Sequence, residues 1–142
     1  MQSRATSYLG SAAAAAALLC SGVATASDAP PVPLLPSGLE AVLQEVVEDV
    51  KPDGTFDYVR FRFVAPGVVG DGAPDLEARA EDMDFLCGEY ALPWLAEAGA
   101  AFDKISISIS DRETEFGVAN PDVTQFFELY RVENGRCIWE EF

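Results

Sequence analysis

The side chains of this 142-residue chain that could do chemistry are its cysteines, several clustered carboxylates and two neighbouring arginines, and there is no histidine. Imidazole is the commonest general base and the usual partner of serine and cysteine nucleophiles. Its absence therefore excludes Ser-His-Asp and Cys-His catalysis and removes most zinc sites. Cys87 would be a nucleophile without a base, so the sequence assigns no catalytic, cofactor-binding or metal-binding residue.

Three acidic residues, Asp111, Glu113 and Glu115, follow a predicted strand closely. Paired carboxylic acids carry out glycoside hydrolysis, which makes a small carboxylate-dependent hydrolase acting on envelope polysaccharide an alternative function. Such an enzyme requires two acids that converge in a cleft, one of them with a raised pKa. Sequence spacing does not give the separation of the carboxyl groups, and a solvated loop is the simpler interpretation.

The closest pair of basic residues is Arg60 and Arg62. Because they are two positions apart in a predicted strand, both side chains lie on the same face. Together they could bind an anion. Cross-strand pairing with the plentiful Asp and Glu residues is the simpler expectation.

The chain is strongly acidic, with 24 acidic and 9 basic side chains and a formal net charge of −15. Such a surface repels nucleic acid and anionic lipid and slows approach to either. It is compatible with high solubility or with a basic partner. We therefore expect an unidentified protein or small-molecule ligand as the partner, and no nucleic acid.

The first 26 residues are typical of a signal peptide. Arg4 supplies the basic region, Tyr8–Cys20 the apolar region, and Ala24-Thr25-Ala26 a small-residue cleavage site before Ser27. The apolar run is too short and too rich in alanine for a good membrane span. We predict cleavage after Ala26, a periplasmic or secreted location, and no membrane span in the mature chain.

Export determines the interpretation of the cysteines. Cys20 is removed with the signal peptide, which leaves Cys87 and Cys137. In an oxidising compartment two cysteines usually form a disulfide. Closing a loop of about 50 residues would stabilise the domain by roughly 4 kcal/mol on the chain-entropy model.

The C-terminal segment predicts a β-hairpin. Asn134-Gly135 provides the two positive-φ positions of a type I′ turn between Thr124–Val132 and Arg136–Phe142. This turn places Val132 opposite Cys137 and Tyr130 opposite Trp139. We expect one face in the core, with Tyr130, Val132, Cys137 and Trp139. The other face would carry Phe127, Leu129, Ile138 and Phe142.

A helix is predicted over Asp75–Tyr90. Its expected buried stripe consists of Leu76, Ala80, Met83, Leu86, Cys87 and Tyr90. Pro93 predicts a break or kink at Leu92, and the last turn should end near Gly99. Cys87 on the stripe would then face Cys137 on the hairpin.

The remaining elements are strands, with one ambiguity. Leu39–Val50 has helical spacing of its apolar residues, but a turn at Lys51–Gly54 and a clear strand at Phe56–Val64 favour a hairpin. Lys104–Ser110 alternates isoleucine with serine, which places the isoleucines on one face of this strand and the serines on the other.

These elements predict an α+β fold: a mainly antiparallel sheet of about five strands with one helix packed across a face, in the order β-β-α-β-β-β and linked by a disulfide. Residues 1–26 are the signal peptide, 27–37 a proline-rich leader and 38–142 a single domain. The leader should run extended.

Four sequence blocks resemble a family of small exported bacterial proteins catalogued as a domain of unknown function. They are RFRFVAP at Arg60–Pro66, DMxxLC at Asp82–Cys87, SDRxxEFG at Ser110–Gly117 and TQFFExxRxExGRCIWEEF at Thr124–Phe142. The last block is the most specific, and together they extend over most of the mature chain. The resemblance implies no activity, cofactor or catalytic residue.

The function that the sequence favours is non-enzymatic binding of a protein or a small ligand in the periplasm. A binding domain should expose an apolar or aromatic patch, for example on the second face of the C-terminal hairpin.

Overall fold

The computed structural model describes residues 28–141. Their five strands lie side by side in sequence order: β1 (Val42–Asp49), β2 (Tyr58–Val64), β3 (Lys104–Ser110), β4 (Gln125–Glu133) and β5 (Arg136–Glu140). Neighbouring strands are antiparallel except β2 and β3, which are parallel because a helical crossover joins them. The predicted α+β fold is confirmed. Its details differ in this parallel pair, in a short 3₁₀ turn (Pro66–Val68) and in the form of the helix.

The ambiguous N-terminal segment forms strand β1 and pairs with β2 as a hairpin. Leu43 pairs with Phe63 and Glu45 with Arg62, so Gln44 is an extra residue in a β-bulge. The bulge interrupts the alternation of apolar residues, which explains why this strand resembles a helix in sequence.

The helical layer is one continuous run of three segments. Helix α1 (Leu76–Phe85) begins at Asp75, whose carboxylate accepts from the Ala78 amide at 2.9 Å. A π-helical turn (Leu86–Ala91) follows, and then α2 (Leu92–Ala98). The expected break at Leu92 does not occur. Proline lacks an amide proton and its ring clashes with a carbonyl one turn earlier, and the wider π turn immediately before it accommodates both effects.

The helical layer packs against the isoleucines of β3 and the apolar residues of β2. The predicted stripe is buried at Met83, Leu86, Cys87 and Tyr90. Leu76 is an exception, because it is 74% exposed in the first turn of α1. The core on the sheet side consists of Val59, Phe61, Phe63, Ile105, Ile107, Ile109 and Tyr130.

Residues of the predicted proline-rich leader pack on the helical layer. Leu35 is buried in the core, and the Tyr90 hydroxyl donates to the Pro30 carbonyl at 2.6 Å. Ser37 donates to the buried Asp82 carboxylate from its amide at 2.9 Å and from its hydroxyl at 2.6 Å. These contacts neutralise much of the desolvation cost of a buried carboxylate. The predicted signal peptide, residues 1–26, lies outside the described residues.

The C-terminal hairpin has the predicted turn and register. Asn134 and Gly135 have φ of 51° and 70°, and Val132 pairs with Cys137. One prediction was wrong: Trp139 on edge strand β5 is 52% exposed, and its indole donates to Glu128 at 2.6 Å. Phe142, assigned to the opposite face, is outside the described residues.

Cys87 and Cys137 form the predicted disulfide, with Cα atoms 6.2 Å apart. The bond joins the π-helical turn to β5, the strand at one edge of the sheet. An edge strand has only one neighbour to hold it in place, so the disulfide supplies a second attachment.

We expect the variant with Cys87→Ala and Cys137→Ala to lose about 2–5 kcal/mol of unfolding free energy, because its unfolded chain is no longer constrained by the 50-residue link. Urea unfolding followed by circular dichroism measures this loss. Reduction should destabilise the natural chain similarly and leave the double variant unaffected. An unfolding curve of the natural chain that does not change on reduction would contradict the prediction.

Candidate functional site

The sheet face opposite the helices holds a cavity of about 330 Å³ beneath the loop of residues 111–124. We call it the sheet–loop cavity. Its floor is formed by side chains of β2, β3 and β4, and its roof by residues 114–119 of the loop. The lining residues are Arg60, Arg62, Ser106, Ser108, Thr114, Glu115, Phe116, Gly117, Val118, Ala119, Gln125 and Phe127.

The loop is fixed over the sheet by its Thr114 backbone. The Thr114 carbonyl accepts from Gln44 Nε2 at 2.8 Å and from Arg62 Nη2 at 2.9 Å, and its amide donates to Gln44 Oε1 at 3.4 Å. Gln44 is the extra residue of the β1 bulge, a feature that commonly redirects a side chain toward a site. The bulge therefore positions the roof of the cavity.

The ends of the loop are also joined. The Thr124 amide donates to the Asp111 carboxylate at 2.9 Å, and the Asp111 amide donates to the Thr124 carbonyl at 3.1 Å. Desolvation acts to raise the pKa of Asp111, but the Thr124 amide and the Arg112 ion pair outweigh it and hold that pKa below its usual value. Asp111 therefore serves as an ionised acceptor that closes the loop.

The three acidic candidates do not all converge. Asp111 is half-buried and bonded, whereas Glu113 and Glu115 line an open surface pocket together with Glu45. Glu115 also lines the sheet–loop cavity. A carboxylate with a lowered pKa is a poor proton donor near neutral pH. Asp111 is thus unsuited to the acid role that glycoside hydrolysis requires.

The arginine pair makes the cross-strand ion pairs expected from the sequence. Arg62 bonds Glu45, and Arg60 Nη2 lies 3.3 Å from Asp49. The Phe116 ring covers both guanidiniums, with its centroid 5.7 Å from Arg60 Cζ and 5.5 Å from Arg62 Cζ. Such contacts between cations and aromatic rings are attractive. The pair therefore also anchors the loop.

The serines of β3 are buried although they lie on the face away from the helices. Ser106 and Ser108 are 7% and 6% exposed, because the loop covers them. The single proton of the Ser110 hydroxyl is shared between the carbonyls of Arg112 at 2.9 Å and Phe63 at 3.3 Å. Within residues 28–141, the hydroxyls of Ser106 and Ser108 have no such partner. Neither oxygen is among the buried atoms without a partner, so both hydroxyls open to the cavity, where water or a ligand can bond them.

Apolar side chains surround the polar floor. Phe116, Val118 and Phe127 line the cavity and are exposed. Phe127 lies on the hairpin face where the sequence analysis placed a possible patch, whereas Phe116 and Val118 come from a loop without periodicity. The cavity thus combines recessed hydrogen-bonding groups with an apolar rim, as ligand sites commonly do.

Three further features of the described residues bear on function. In the part of the chain that the structure describes, no group of three or more His, Cys, Asp or Glu side chains could hold a metal ion. Over the same residues, no helix has the length and apolar character needed to span a membrane. Both Cys87 and Cys137 are oxidised, so neither is a thiol nucleophile.

The sequence did not identify Ser106 and Ser108 as site residues. Their alternation with isoleucine predicts only that they lie on the face opposite the isoleucines, and it does not say what covers that face. The loop that covers them is connected to β1 through Gln44, 70 residues away from Thr114 in the chain. A contact of that range has no local sequence signal.

Comparison with known proteins finds a match to a family model. A sequence model of a family described as being of unknown function (DUF6497) matches residues 11–142. No curated protein and no solved structure matches the chain. The family match therefore supplies no residue roles, and the chemistry must be argued from the cavity.

The serines give a direct test of this description. We expect Ser108→Ala to leave the free energy of unfolding unchanged or to raise it, because no hydrogen bond within the protein is lost. Ser110→Ala, the matched variant on the same face, should lower it by about 1 kcal/mol, because the hydrogen bond that the hydroxyl donates to the Arg112 and Phe63 carbonyls is lost. Urea unfolding of both variants measures the difference. Equal destabilisation of the two variants would contradict the conclusion that Ser110, and not Ser108, is hydrogen-bonded within the protein.

Proposed function

The chain belongs to the family of unknown function DUF6497, and we propose that it is an exported, non-enzymatic domain that binds a small ligand in the sheet–loop cavity. The observation that carries this proposal is the pair of Ser106 and Ser108 hydroxyls on the cavity floor, which open to the cavity although the two residues are largely buried. Their hydrogen-bonding capacity is not used within the described chain. A ligand with polar atoms can use it in place of water.

The form of the cavity favours a small ligand over a flat protein surface. Its polar groups are recessed below the exposed rim of Phe116, Val118 and Phe127. A small molecule can reach the floor with its polar end while its apolar part contacts the rim. The volume of about 330 Å³ is at the lower end of the range for small-molecule sites.

Binding is better supported than hydrolysis. The lowered pKa of Asp111 and its bonds to Thr124 and Arg112 suit a structural role. Glu115 is the remaining acidic candidate at the cavity. A single carboxylate does not provide the acid and the second carboxylate that glycoside hydrolysis uses.

Export is supported by the sequence of residues 1–26 and by the disulfide. Disulfides persist mainly in oxidising compartments, such as the bacterial periplasm or the extracellular space. The acidic composition suits a domain that stays in solution there.

A screen for ligands tests the binding proposal. We expect ¹⁵N-labelled mature protein, mixed with small sugars, amino acids and organic acids, to show NMR shifts confined to β3 and the loop of residues 111–124. Ser108→Leu should abolish these shifts because its side chain fills the cavity. Ser110→Ala should retain them, because Ser110 does not line the cavity.

Circular dichroism of Ser108→Leu shows whether the variant is folded. If Ser108→Leu does not fold, the location of the NMR shifts on the natural chain still shows whether a ligand binds in the sheet–loop cavity. Shifts on the helical face, or none with any compound, would contradict the proposal. Chemical turnover of a bound compound would contradict its non-enzymatic part.

The predicted export can be tested separately from ligand binding. We expect the protein isolated from its natural host to begin at Ser27, because Ala24-Thr25-Ala26 forms a cleavage site. N-terminal sequencing after fractionation of the cells determines both the first residue and the compartment. A chain that begins at Met1 in the cytoplasm would refute this part of the proposal.

A further inference from the structure

The two arginines at the sheet–loop cavity are not equivalent. The guanidinium of Arg62 is already hydrogen-bonded within the protein, because it donates to Glu45 through Nη1 and to the Thr114 carbonyl through Nη2. Within residues 28–141, the guanidinium of Arg60 makes one hydrogen bond, from Nη2 to Asp49 at 3.3 Å, and its buried Nε has no partner. A guanidinium has five N–H donors. Arg60 therefore retains donors for another group.

Arg60 is also the more accessible arginine. Its side chain is 29% exposed, compared with 6% for Arg62. Both line the cavity, but the Arg62 guanidinium is enclosed by the loop that it anchors. A ligand entering the cavity would therefore meet Arg60 first.

The register of the sheet places Arg60 next to the serines. In the parallel pairing of β2 and β3, Arg60 lies opposite Ser106 and Arg62 lies opposite Ser108. The side chains of directly paired residues on one sheet face are neighbours. The spare donors of Arg60 therefore lie beside Ser106, and Ser108 follows on the same face of β3, next to Arg62.

This donor set suits a carboxylate. Hydrogen bonds from a guanidinium to a carboxylate are charge-assisted and roughly twice as strong as neutral ones. The serine hydroxyls can donate to the same oxygens. Nearby, the exposed side chains of Phe116 and Phe127 provide apolar contact for the rest of the molecule.

The surrounding charge limits the ligand to a single negative charge. Glu115 lines the cavity, and Asp49 and Glu45 pair with its two arginines. The whole chain has a net charge of −15, which repels an anion more strongly for each charge that it carries. A phosphate, with more than one charge near neutral pH, is therefore disfavoured.

We propose that the sheet–loop cavity binds a small organic monocarboxylate with an apolar body. Arg60, Ser106 and Ser108 hold the carboxylate, and Phe116 and Phe127 contact the apolar body. This inference rests on the proposed function, because it names the ligand class of the same cavity. It assigns different roles to the two arginines: Arg60 binds the ligand, and Arg62 positions the loop.

NMR titration with matched probes tests the inference. We expect benzoate and octanoate to shift the amides of β3 and of residues 114–119 at pH 7. Benzamide and octanamide should bind at least about tenfold more weakly, since the charge-assisted bonds are lost. Inorganic phosphate should bind more weakly than benzoate. Added salt should weaken benzoate binding and change benzamide binding little.

Two variants distinguish a specific contribution of Arg60 to binding from an effect of the overall surface charge. Arg60→Gln should weaken benzoate binding about tenfold or more while leaving benzamide binding unchanged. The control is Arg131→Gln, which removes the same charge from the same sheet face outside the cavity lining, where Arg131 pairs with Glu133 and Glu140. This control should bind benzoate as the natural chain does.

Several outcomes would overturn the inference. Equal affinity for benzoate and benzamide would show that charge is not recognised, and shifts in the cavity would still support the proposed function. Phosphate binding more tightly than benzoate would refute the monocarboxylate. No shift with either carboxylate would also refute it, while the broader screen decides the proposed function separately. If Arg60→Gln does not fold, the comparison of carboxylates with amides on the natural chain decides alone.

Discussion

All seven residues of β3 are buried, and the rest of the structure is arranged to cover both of its faces. The isoleucine face packs against the helical layer, where each fully buried side chain contributes roughly 1.5–3 kcal/mol. The serine face lies beneath the loop of residues 111–124. Burial of the isoleucines is favourable, and this explains why the helical layer covers their face. The loop, in contrast, lies over serine hydroxyls and leaves those of Ser106 and Ser108 open to the cavity.

Long-range hydrogen bonds and the disulfide fix the helical layer and the loop to the sheet. On the helical side, Asp82 accepts two hydrogen bonds from Ser37, and the disulfide attaches β5 to the π-helical turn. On the loop side, Gln44 and Arg62 hold the Thr114 backbone. The bulge in β1 is therefore part of the site, because it places Gln44 where the loop can be bonded.

The sheet–loop cavity follows from this arrangement. Covering a strand with a helix fills the space with apolar side chains, whereas covering it with a fixed loop leaves a recess. The recess has polar groups at its floor and aromatic side chains at its rim. The strength of the site then depends on which polar groups are already bonded within the protein. Arg62 and Ser110 are bonded, and Arg60, Ser106 and Ser108 retain capacity for a ligand.

The sequence by itself determined the features that depend on local chemistry. The positive φ of Asn134 and Gly135 sets the turn and register of the last hairpin, and the alternation in Lys104–Ser110 sets the faces of β3. Two cysteines in a chain with a predicted signal peptide were enough to predict their bond. These features arise from neighbouring residues, whose preferences hold in any surrounding.

Only the tertiary structure decided what covers each surface. Trp139 and Leu76 are exposed although the pattern of each segment assigns them to the core face. The β1 segment remained ambiguous because its bulge shifts the periodicity at Gln44. The serines of β3 became a candidate site because a loop without periodicity is bonded over them by residues up to 70 positions away. Burial depends on contacts between distant segments, and such contacts leave no pattern in the sequence around any one residue.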